Sequence, residues 1–464
     1  MIRLFRHYIP KSLVLLGAAD GLVLFVSVYI GVSPPFAEPS PTGKLLVGAL
    51  WPKALLYTAI MMSMMALVGL YHRDMRDDFR GVSLRLGVAV TLALAALVAM
   101  LYVRPWLTIG GTAMSLALVV SVVGISAFRM VLYRFTEHQL FKRRILILGA
   151  GTRALEAELL KTDGDDQEIM LLGYVHVRGE TPEVPAEQRL QVETTLLDLC
   201  ARLQVEELVV AIDENAVDFP VSQILDCKME GIQVVDLVAF LERQTGRLQL
   251  DALRPGTMVF AEGFIQAILK GYIHRAFDIC VSLIGLTFAM PIMLATAVAI
   301  FAESGFRGPI LYRQVRVGRQ SKPFEILKFR SMRTDAELDG KPQWARENDS
   351  RITRIGNFLR KTRIDELPQL VNVLMGTMSF VGPRPERPEF VESLSESIPY
   401  YDLRHTVNPG ITGWAQICYP YGASAEDAKQ KLQYDLYYIK NYSLFLDVAI
   451  MIQTAQVVLW GKGR

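Results

Sequence analysis

The chain has 464 residues, enough for several domains. Hydrophobic residues make up 51% of it and the mean hydropathy is +0.28, above the roughly 45–50% apolar share of soluble chains, which argues against a wholly soluble protein. The formal net charge of +2 indicates no particular partner, and four widely spaced cysteines without a CxxC pair give no sign of a disulfide framework or a cysteine metal site.

The first 140 residues are expected to cross a membrane. Four apolar stretches each approach the ~20 residues that a helix needs to span a hydrocarbon core; they are residues 12–33, 49–71, 84–103 and 110–132. Lys and Arg lie before the first stretch, between the second and third, and after the fourth, so the positive-inside bias puts both ends of the bundle in the cytoplasm. We predict a four-helix transmembrane bundle over residues 1–140, in which Asp20 and Lys53 are interpreted as inward-facing packing residues and a transport path is the alternative.

Residues 141–262 are predicted to form a Rossmann-like α/β domain. In "RRILILGAGTRALEAELLK" an apolar strand leads through Gly149, Gly151 and Ala154 into a helix, which is the G-x-G-x-x-A turn of a dinucleotide-binding unit. Strands and helices alternate downstream, which predicts a doubly wound parallel sheet. Gly149 and Gly151 are candidate cofactor-binding residues, although the same glycines also serve a tight turn with nothing bound. No tyrosine is followed by a lysine four residues later, so the chemistry of a short-chain-type epimerase or dehydratase is not expected and a structural, regulatory or dimerising role is favoured.

A fifth apolar run, residues 278–304, is long enough to span a membrane but has Pro291 at its middle. Proline removes a backbone donor and clashes with the preceding turn, so we expect a sharp bend there. Basic residues flank the run on both sides, which indicates that both flanks lie in the cytoplasm. This favours a re-entrant membrane helix at about residues 278–304. The alternative, a Pro-kinked span, would place everything after residue 305 outside the cell.

Two adjacent carboxylates, Asp365 and Glu366, stand in "RIDELPQLVNVLMG" at the head of an apolar helix. Pro368 is tolerated only in a first helical turn, so the helix is predicted to start near Asp365. The positive end of the helix dipole favours an ionised carboxylate there and attracts phosphate oxygens, which suits both a nucleophile and a phosphorylated substrate. Plain helix capping is the alternative interpretation of the same residues.

Basic residues are dense on both sides of the acidic pair. Guanidinium groups bind phosphate oxygens in a bidentate way, so this density suits a diphosphate ligand better than a solvated surface. The candidate phosphate- or nucleotide-binding residues are Lys328, Arg330, Arg354, Arg360, Arg363 and Arg384, the last held between Pro383 and Pro385. The neighbouring membrane run argues against nucleic acid as the partner, and a basic surface facing anionic lipid is the alternative for some of these residues.

Several stretches of the C-terminal part resemble a known family. They include "HRAFDICVSLIGLTFAMPIML", "FEILKFRSM", "ITRIGNFLRKTRIDELPQLVNVLMGTMSFVGPRPERPEF" and "YDLRHTVNPGITGWAQI". These motifs are similar to those of the bacterial sugar transferases of the monotopic phosphoglycosyltransferase superfamily, over about residues 270–464. The upstream bundle and nucleotide fold are similar to the long members that initiate exopolysaccharide or O-antigen synthesis. The resemblance implies an α-rich (α+β) catalytic domain over residues 263–464, with the re-entrant helix inside it.

The resemblance further implies an enzyme, a polyprenyl-phosphate phosphoglycosyltransferase. It would transfer a sugar 1-phosphate from a UDP-sugar, expected to be UDP-glucose or UDP-galactose, to undecaprenyl phosphate in the lipid bilayer and release UMP. By the family's pattern Asp365 would attack the β-phosphorus to form a covalent aspartyl phosphosugar, and Glu366 would bind Mg²⁺ together with it. Arg360 and the turn at 383–385 would contact phosphate or nucleotide, and Pro291 would bend the membrane helix. Because UDP-sugars are cytoplasmic, the protein is expected in the bacterial inner membrane with its catalytic domain on the cytoplasmic side.

Two alternatives stay open from the sequence. In one, polyprenyl phosphate attacks directly in a ternary complex, and Asp365 and Glu366 only bind Mg²⁺. In the other, the protein is a non-catalytic membrane scaffold or a nucleotide sensor that reads its ligand through "GAGTRA". A homodimer formed through the middle domain is a further hypothesis. The sequence assigns no role to Asp435 or Asn441, and His405 is interpreted as structural.

Overall fold

The computed structural model describes residues 2–4, 7–9, 11–33, 49–71, 79–104, 109–136, 142–157, 169–213, 219–251, 268–333, 351–420, 422 and 424–460. The chain divides into two compact units, Met1–Arg143 with Gln167–Met170, and Arg144–Asp166 with Leu171–Arg464. The predicted boundaries of three domains, after residues 140 and 262, stay a prediction.

In the first unit, a short hairpin of β1 (Ile2–Leu4) and β2 (His7–Ile9) precedes four helices. The helices are α1 (Lys11–Val32), α2 (Leu50–Leu67), α3 (Phe79–Val103) and α4 (Gly111–Thr136). Each contains a segment that is long and apolar enough to cross a membrane, judged by length and composition. This confirms the predicted helical bundle at the N-terminus.

Helix α1 packs against α2 and α4, and α2 packs against α3. Leu24 and Met61 are fully buried between these helices, because apolar side chains at helical spacing share one face. The fully buried Asp20 accepts hydrogen bonds from Arg129 Nη2 at 2.7 Å and from Tyr71 Oη at 3.0 Å. A buried charge is tolerated where it is paired and hydrogen-bonded. Asp20 therefore faces inward, as the packing interpretation predicts.

A five-stranded α/β sheet follows. Its strands are β3 (Arg143–Leu148), β4 (Ile169–Val175), β5 (Arg189–Leu190), β6 (Glu207–Val210) and β7 (Gln233–Asp236), in the order β5-β4-β3-β6-β7. Its helices are α5 (Thr152–Glu156), α6 (Leu196–Leu203), α7 (Val221–Met229) and α8 (Leu237–Thr245). The pairs β4–β5, β3–β6 and β6–β7 are parallel, which confirms the predicted Rossmann-like sheet. Because the strand order reverses at β3, the turns after β3 and β6 meet at one edge of the sheet.

The C-terminal part of the second unit is mainly helical. The long apolar helix α9 (Ile268–Glu303) leads into an antiparallel hairpin of β8 (Leu311–Val317) and β9 (Pro323–Phe329). Further elements follow in the order α10 (Arg354–Thr362), α11 (Gln369–Met375), β10 (Ser379–Val381), α12 (Pro388–Ser397), β11 (Gly410–Thr412), α13 (Trp414–Cys418), α14 (Ala425–Lys440) and α15 (Leu444–Trp460). Helices α14 and α15 contribute to one buried apolar core with Tyr401 and Trp414. This confirms the predicted α-rich fold with short strands.

Helix α9 contacts the rest of its unit near both ends. Near its start, Arg275 donates hydrogen bonds to two carbonyls at the end of α11, and Asp278 accepts one from the backbone of β10. Near its end, Ile300 is buried against Phe329 of β9. The helix continues through Pro291, and the bend and the re-entrant course stay predictions.

The sheet domain is attached to the helical part through α8 and the segment after it. The buried carboxylate of Glu242 accepts hydrogen bonds from Lys440 Nζ at 2.6 Å and from Asn441 Nδ2 at 3.2 Å. Nε1 of Trp414 donates to the carbonyl of Gly246 at 2.7 Å. Asn441, to which the sequence assigned no role, therefore lies at the contact between the sheet and α14.

Candidate active site

The acidic pair lies in a 3₁₀ turn between two helices. Helix α10 ends, and Arg363 follows in the left-handed region at φ 60°. The 3₁₀ turn covers Ile364–Glu366, and α11 begins at Gln369. The prediction that this helix starts near Asp365 is therefore wrong, because two i→i+3 hydrogen bonds tighten the chain before the α-helix begins.

Asp365 is not the N-cap of either neighbouring element, so the capping interpretation does not hold for it. It is 9% exposed, and its Oδ1 has no hydrogen-bond partner within the described residues. Burial raises the pKa of this carboxyl to about 6, and the negative charge of Glu366 adds to the rise. The charges of Lys328, Arg363 and Arg360 oppose it. Asp365 therefore has a buried, unpaired oxygen on a carboxylate whose pKa is about 6.

Glu366 is surrounded by cations. Its Oε1 lies 3.2 Å from Arg384 Nη2, 3.6 Å from Arg363 Nη1 and 3.7 Å from Lys328 Nζ. Burial by itself would raise the pKa of Glu366, but these three positive charges outweigh it and lower the pKa to about 2. Burial also lowers the pKa of Lys328 to about 8, although the charge of Glu366 opposes the fall. Glu366 is thus ionised at physiological pH and holds three cations beside Asp365.

Lys328 reaches the acidic pair because β9 is tied to α11. The buried Asn372 donates from Nδ2 to the carbonyl of Glu325 at 2.7 Å and accepts from the backbone N–H of Leu327 at 2.9 Å. One amide side chain thereby satisfies both a donor and an acceptor on the strand that carries Lys328. Sequence reasoning missed Asn372. The available signal was a single amide inside the apolar stretch "LVNVLM", since a buried polar group needs specific partners.

The turn that carries Arg384 is held at its backbone by two other arginines. Nη2 of Arg404 donates to the carbonyl of Arg384 at 2.9 Å, and Nη1 of Arg316 donates to the carbonyl of Pro385 at 3.0 Å. The two hydrogen bonds fix the backbone of the proline-flanked turn. The guanidinium of Arg384 can then pair with Glu366 from a fixed position.

Arg404 is itself fixed by buried partners. It is 7% exposed, its Nη2 lies 2.9 Å from Asp435 Oδ2, and its Nη1 lies 2.6 Å from Tyr401 Oη. Burial raises the pKa of Asp435 to about 6, and the charge of Arg404 opposes the rise. Sequence reasoning missed Arg404 and gave Asp435 no role. The available signal was an acidic residue between Leu432 and Leu436 on the apolar face of α14.

His405 has a structural position. It is buried, and its Nδ1 lies 3.4 Å from Ser321 Oγ and 3.7 Å from Asp402 Oδ1. Burial lowers the pKa of the imidazole to about 4, and the charge of Arg404 adds to the fall. The ring is neutral at physiological pH, which agrees with the structural interpretation.

The structure brings some of the predicted basic residues together and leaves others apart. Three of them pair with Glu366, and the charge of Arg360 acts on Asp365. Arg330 lies just beyond β9, and Arg354 is exposed at the first residue of α10. Among the residues whose positions are described, neither forms an ion pair with the acidic pair. Phosphate binding by Arg330 and Arg354 stays a prediction.

The donor set at the acidic pair fits a magnesium ion that arrives with phosphate. Mg²⁺ in proteins is bound by one or two carboxylates, and substrate phosphates and water complete its octahedral shell. Asp365 and Glu366 supply two carboxylates, one with an unpaired oxygen. Over the described ranges no group of three or more His, Cys, Asp or Glu side chains could hold a metal. The three cations on Glu366 disfavour binding of a free metal ion by charge repulsion. A metal ion bound to a diphosphate brings negative charge that offsets this repulsion.

The apolar helices, the α/β sheet and an acidic pair inside a cluster of cations define a membrane-associated protein with a site suited to phosphorylated ligands. The family model of the bacterial sugar transferases matches residues 269–461, which include the whole of this site. The chain belongs to the bacterial sugar transferase family, and the resemblance seen in its motifs is confirmed.

Three relatives illustrate the similarity. The chain is 43% identical over 237 residues to the UDP-N-acetylgalactosamine-undecaprenyl-phosphate N-acetylgalactosaminephosphotransferase of Aeromonas hydrophila, which covers 51% of this chain and 55% of that protein. It is 39% identical over 246 residues to the UDP-glucose:undecaprenyl-phosphate glucose-1-phosphate transferase of Klebsiella pneumoniae, and this match covers 52% of this chain and 51% of that protein. It is 42% identical over 198 residues to an exopolysaccharide production protein of Rhizobium leguminosarum bv. phaseoli, and this match covers 41% of this chain and 98% of that protein. The chain thus spans about half the length of the first two relatives.

Proposed function

We propose that this protein transfers a sugar 1-phosphate from a UDP-sugar to undecaprenyl phosphate and releases UMP. The reaction would be the first membrane step of exopolysaccharide or O-antigen-like glycan synthesis. The Aeromonas and Klebsiella relatives are named as transferases of this kind, for different sugars. The observation that carries the proposal is the environment of Asp365, a buried carboxylate with an unpaired oxygen beside a glutamate that holds three cations.

The two carboxylates have different tasks because their surroundings push their pKa values apart. Glu366 stays ionised and keeps its three cations in place without a ligand. A bound diphosphate would give those cations further oxygens to pair with. Asp365 Oδ1 is buried and makes no hydrogen bond within the described part of the chain, so no hydrogen bond has to break before this oxygen bonds to a phosphorus atom.

In the first step, an oxygen of Asp365 bonds to the β-phosphorus of the UDP-sugar. The bond between that phosphorus and the oxygen bridging the two phosphates breaks, and UMP leaves with the bridging oxygen and its electron pair. The sugar phosphate remains on Asp365 as an acyl phosphate. An anion approaching a diphosphate is repelled unless charge is neutralised, and Lys328, Arg363 and Arg384 are placed to do this.

In the second step, a phosphate oxygen of undecaprenyl phosphate attacks the same phosphorus. The bond between phosphorus and the Asp365 oxygen breaks, which regenerates the carboxylate and yields undecaprenyl diphosphate sugar. Two successive displacements let a water-soluble donor and a lipid acceptor use one site in turn.

We include Mg²⁺ in this proposal, held by Asp365 and Glu366 together with phosphate oxygens. When bound, the ion neutralises charge on the diphosphate. Removal of divalent cations with EDTA is expected to stop UMP release. It is expected to leave the thermal unfolding midpoint of the ligand-free protein unchanged, because the cations on Glu366 disfavour metal binding without phosphate. A fall of that midpoint with EDTA would contradict this account of the metal.

We place the site at the cytoplasmic face of the bacterial inner membrane, with α9 as a re-entrant helix. Both ends of α9 contact segments that follow it: His274 Nδ1 lies 2.7 Å from Asp447 Oδ2, and Glu303 Oε1 accepts from the backbone N–H of Ile355 at 3.1 Å. A full crossing would separate the two ends by the ~30 Å of a hydrocarbon core. Contacts of both ends with one folded segment support a helix that bends and returns.

The topology can be tested with a cysteine at the exposed Glu396 of α12. In a Cys280→Ser background, Glu396→Cys is expected to react with a membrane-impermeant maleimide in inside-out vesicles and not in intact spheroplasts. Labelling of intact spheroplasts would place the catalytic segment outside and contradict the re-entrant course.

The covalent route can be tested by mixing the nanodisc-embedded protein with radiolabelled UDP-sugars in the absence of acceptor. The panel contains UDP-glucose, UDP-galactose and UDP-N-acetylgalactosamine, since relatives with each of these sugars in their names are similar to this chain. With the correct donor we expect one UMP per active protein and a sugar phosphate on the peptide containing Asp365, which undecaprenyl phosphate then removes. Asp365→Asn is expected to release no UMP and to carry no sugar phosphate. The control Glu396→Gln is expected to do both, like the unchanged protein. UMP release that requires the acceptor would favour direct attack in a ternary complex.

A further inference from the structure

The glycine turn of the sheet domain has the sequence of a dinucleotide-binding turn, but the protein's own side chains fill it. In dinucleotide-binding proteins the pyrophosphate accepts hydrogen bonds at the start of the helix after the turn. Here Asp213, just after β6, accepts from the backbone N–H of Thr152 through Oδ2 and of Arg153 through Oδ1, both at 2.9 Å. Asp213 takes the hydrogen bonds that a pyrophosphate would accept.

Both glycines of the motif are explained by internal contacts. A Cβ added at Gly151 would overlap the carboxylate of Asp213. In a dinucleotide site this second glycine lets the backbone approach the pyrophosphate, whereas here it admits a side chain of the same protein. Gly149 has a φ of 131°, and a Cβ there would overlap the carbonyl of Ala211 after β6. The motif is therefore accounted for without a bound nucleotide.

A second carboxylate, that of Glu180, also occupies the glycine turn. Glu180 is 6% exposed, and it accepts from the backbone N–H of Ala150, between the two glycines, at 3.1 Å. Its other oxygen accepts from the backbone N–H of Asp213 at 2.9 Å. The nearby Arg153 is also engaged, since its Nη2 lies 3.7 Å from Asp236 Oδ1. A diphosphate entering the turn would meet carboxylates of like charge.

We propose that Asp213 is the internal ligand of this turn and that the sheet domain does not take up a dinucleotide. The cofactor that the fold and motif suggest does not fit the residues present. The domain instead supports α14 through Glu242. This inference is independent of the proposed transfer reaction, and it argues against the nucleotide-sensor alternative.

The first test measures whether Gly151 and Asp213 are energetically coupled. Amide hydrogen exchange of the peptide covering residues 143–157 is followed by mass spectrometry on the full-length protein in nanodiscs. Gly151→Ala is expected to speed exchange about 10-fold, because the carboxylate has to move away from the new Cβ. Asp213→Ala is also expected to speed exchange, since two N–H groups lose their acceptor. In the double variant Gly151→Ala with Asp213→Ala, the new Cβ no longer overlaps a carboxylate. Its increase in exchange rate is therefore expected to be clearly smaller than the product of the two single-variant increases.

A matched control combines Gly151→Ala with Thr195→Ala, which removes the N-cap of α6 elsewhere in the same domain. These two changes are expected to act independently, because the residues share no partner. Independent effects of Gly151→Ala and Asp213→Ala, or no effect of Gly151→Ala alone, would overturn the proposal.

The second test is equilibrium dialysis of the full-length protein against radiolabelled NAD⁺ and NADP⁺ up to about 1 mM, the upper end of common substrate affinities. The unchanged protein is expected to show no saturable binding. Binding gained by Asp213→Ala would support the proposal, because the substitution frees the two N–H groups. Stoichiometric binding to the unchanged protein that Gly151→Ala abolishes would overturn it. Neither result depends on sugar transfer.

Discussion

Arg404 reaches the acidic pair through the backbone of a second arginine. Its Nη2 donates to the carbonyl of Arg384 at 2.9 Å, and the guanidinium of Arg384 lies 3.2 Å from Glu366. Arg404 is buried and paired with Asp435, so the position of Arg384 is set from the core of the domain. Hydrogen bonds between charged groups of this kind contribute roughly 1.5–3 kcal/mol.

We predict that Asp435→Asn raises KM for the UDP-sugar about 5-fold and changes kcat less than about 2-fold. The amide keeps the shape of the side chain but loses the charge that holds Arg404. If roughly 1 kcal/mol of that loss reaches Arg384, affinity falls by about 5-fold. Steady-state kinetics with purified protein in nanodiscs measures both constants, and the exposed Glu396→Gln on α12 serves as control.

A second cycle of variants separates this positioning role from a general loss of stability. In an Arg384→Lys background, Asp435→Asn is expected to change KM less than about 2-fold, because its effect passes through the residue already altered. Equal effects in the two backgrounds would mean that Asp435 does not act through Arg384.

The pH dependence of acceptor-free UMP release follows from the two shifted groups. In the proposed mechanism Asp365 has to be ionised to attack, and its pKa of about 6 predicts a rate that falls about 10-fold per pH unit well below pH 6. Lys328 loses its charge above its pKa of about 8, so the rate is expected to fall again there. The second-order rate constant of UMP release at low UDP-sugar concentration, which reports the pKa values of the ligand-free protein, should therefore be bell-shaped between pH 4.5 and 9.5. A rate independent of pH below 6 would contradict attack by this carboxylate.

Glu366→Gln tests the coupling between the two carboxylates. Removing the negative charge of Glu366 takes away one cause of the raised pKa of Asp365, so the acid limb is expected to move to lower pH. The maximum rate is expected to fall at the same time, because Lys328, Arg363 and Arg384 lose their shared partner. The same pH series measures both effects, and an unmoved acid limb would show that the two groups titrate independently.

Asp365→Asn is expected to stabilise the fold at neutral pH while it abolishes transfer. The folded-state pKa of Asp365, about 6, lies above the ordinary value of 3.8. Between those values the folded state binds more protons than the unfolded state, so stability falls as pH rises through this window. Above pH 6 the ionised carboxylate therefore costs on the order of 2 kcal/mol, which the neutral amide avoids. Thermal unfolding midpoints are expected to rise by a few degrees at pH 7.5 and to match below pH 4; a lower midpoint at pH 7.5 would contradict the burial argument.

Much of the fold could be predicted because its signals are local. Apolar runs of membrane-spanning length give α1 to α4 and α9, and the alternation of short apolar strands with helices gives the parallel sheet. The acidic pair could also be predicted as a candidate site, since Asp365 and Glu366 are adjacent and basic residues are dense around them in the sequence. The start of α11 was not predicted, because Arg363 adopts a positive φ that favours glycine and nothing in its side chain signals it.

The missed parts of the site depend on contacts between residues far apart in the chain. Arg404 and Asp435 are 31 residues apart, and Asp213 and Thr152 are 61 apart. Local periodicity predicts which face of an element is buried, but it does not say which side chain of another element meets it. A polar residue on an apolar face, such as Asp435, indicates that a partner exists without naming it.

Arg275 attaches the long apolar helix α9 to the site. Its guanidinium donates to the carbonyls of Val373 and Leu374, at the C-terminal end of α11, where a cation is favourable. Because α11 begins at Gln369, shortly after the acidic pair, this contact helps to fix the position of the pair relative to α9. In the proposed reaction the lipid acceptor would reach the pair from the membrane, whereas the soluble donor would reach it from water.

We therefore predict that Arg275→Met separates the two half-reactions. The substitution keeps an apolar stem and removes the donors, which is expected to reduce transfer to undecaprenyl phosphate about 10-fold, equivalent to about 1.4 kcal/mol. Acceptor-free UMP release is expected to stay within about 2-fold of the unchanged protein. Arg275→Lys keeps the charge and is expected to recover part of the transfer rate. An equal loss in both half-reactions would mean that Arg275 supports the fold of the whole site and does not specifically set its position relative to the membrane.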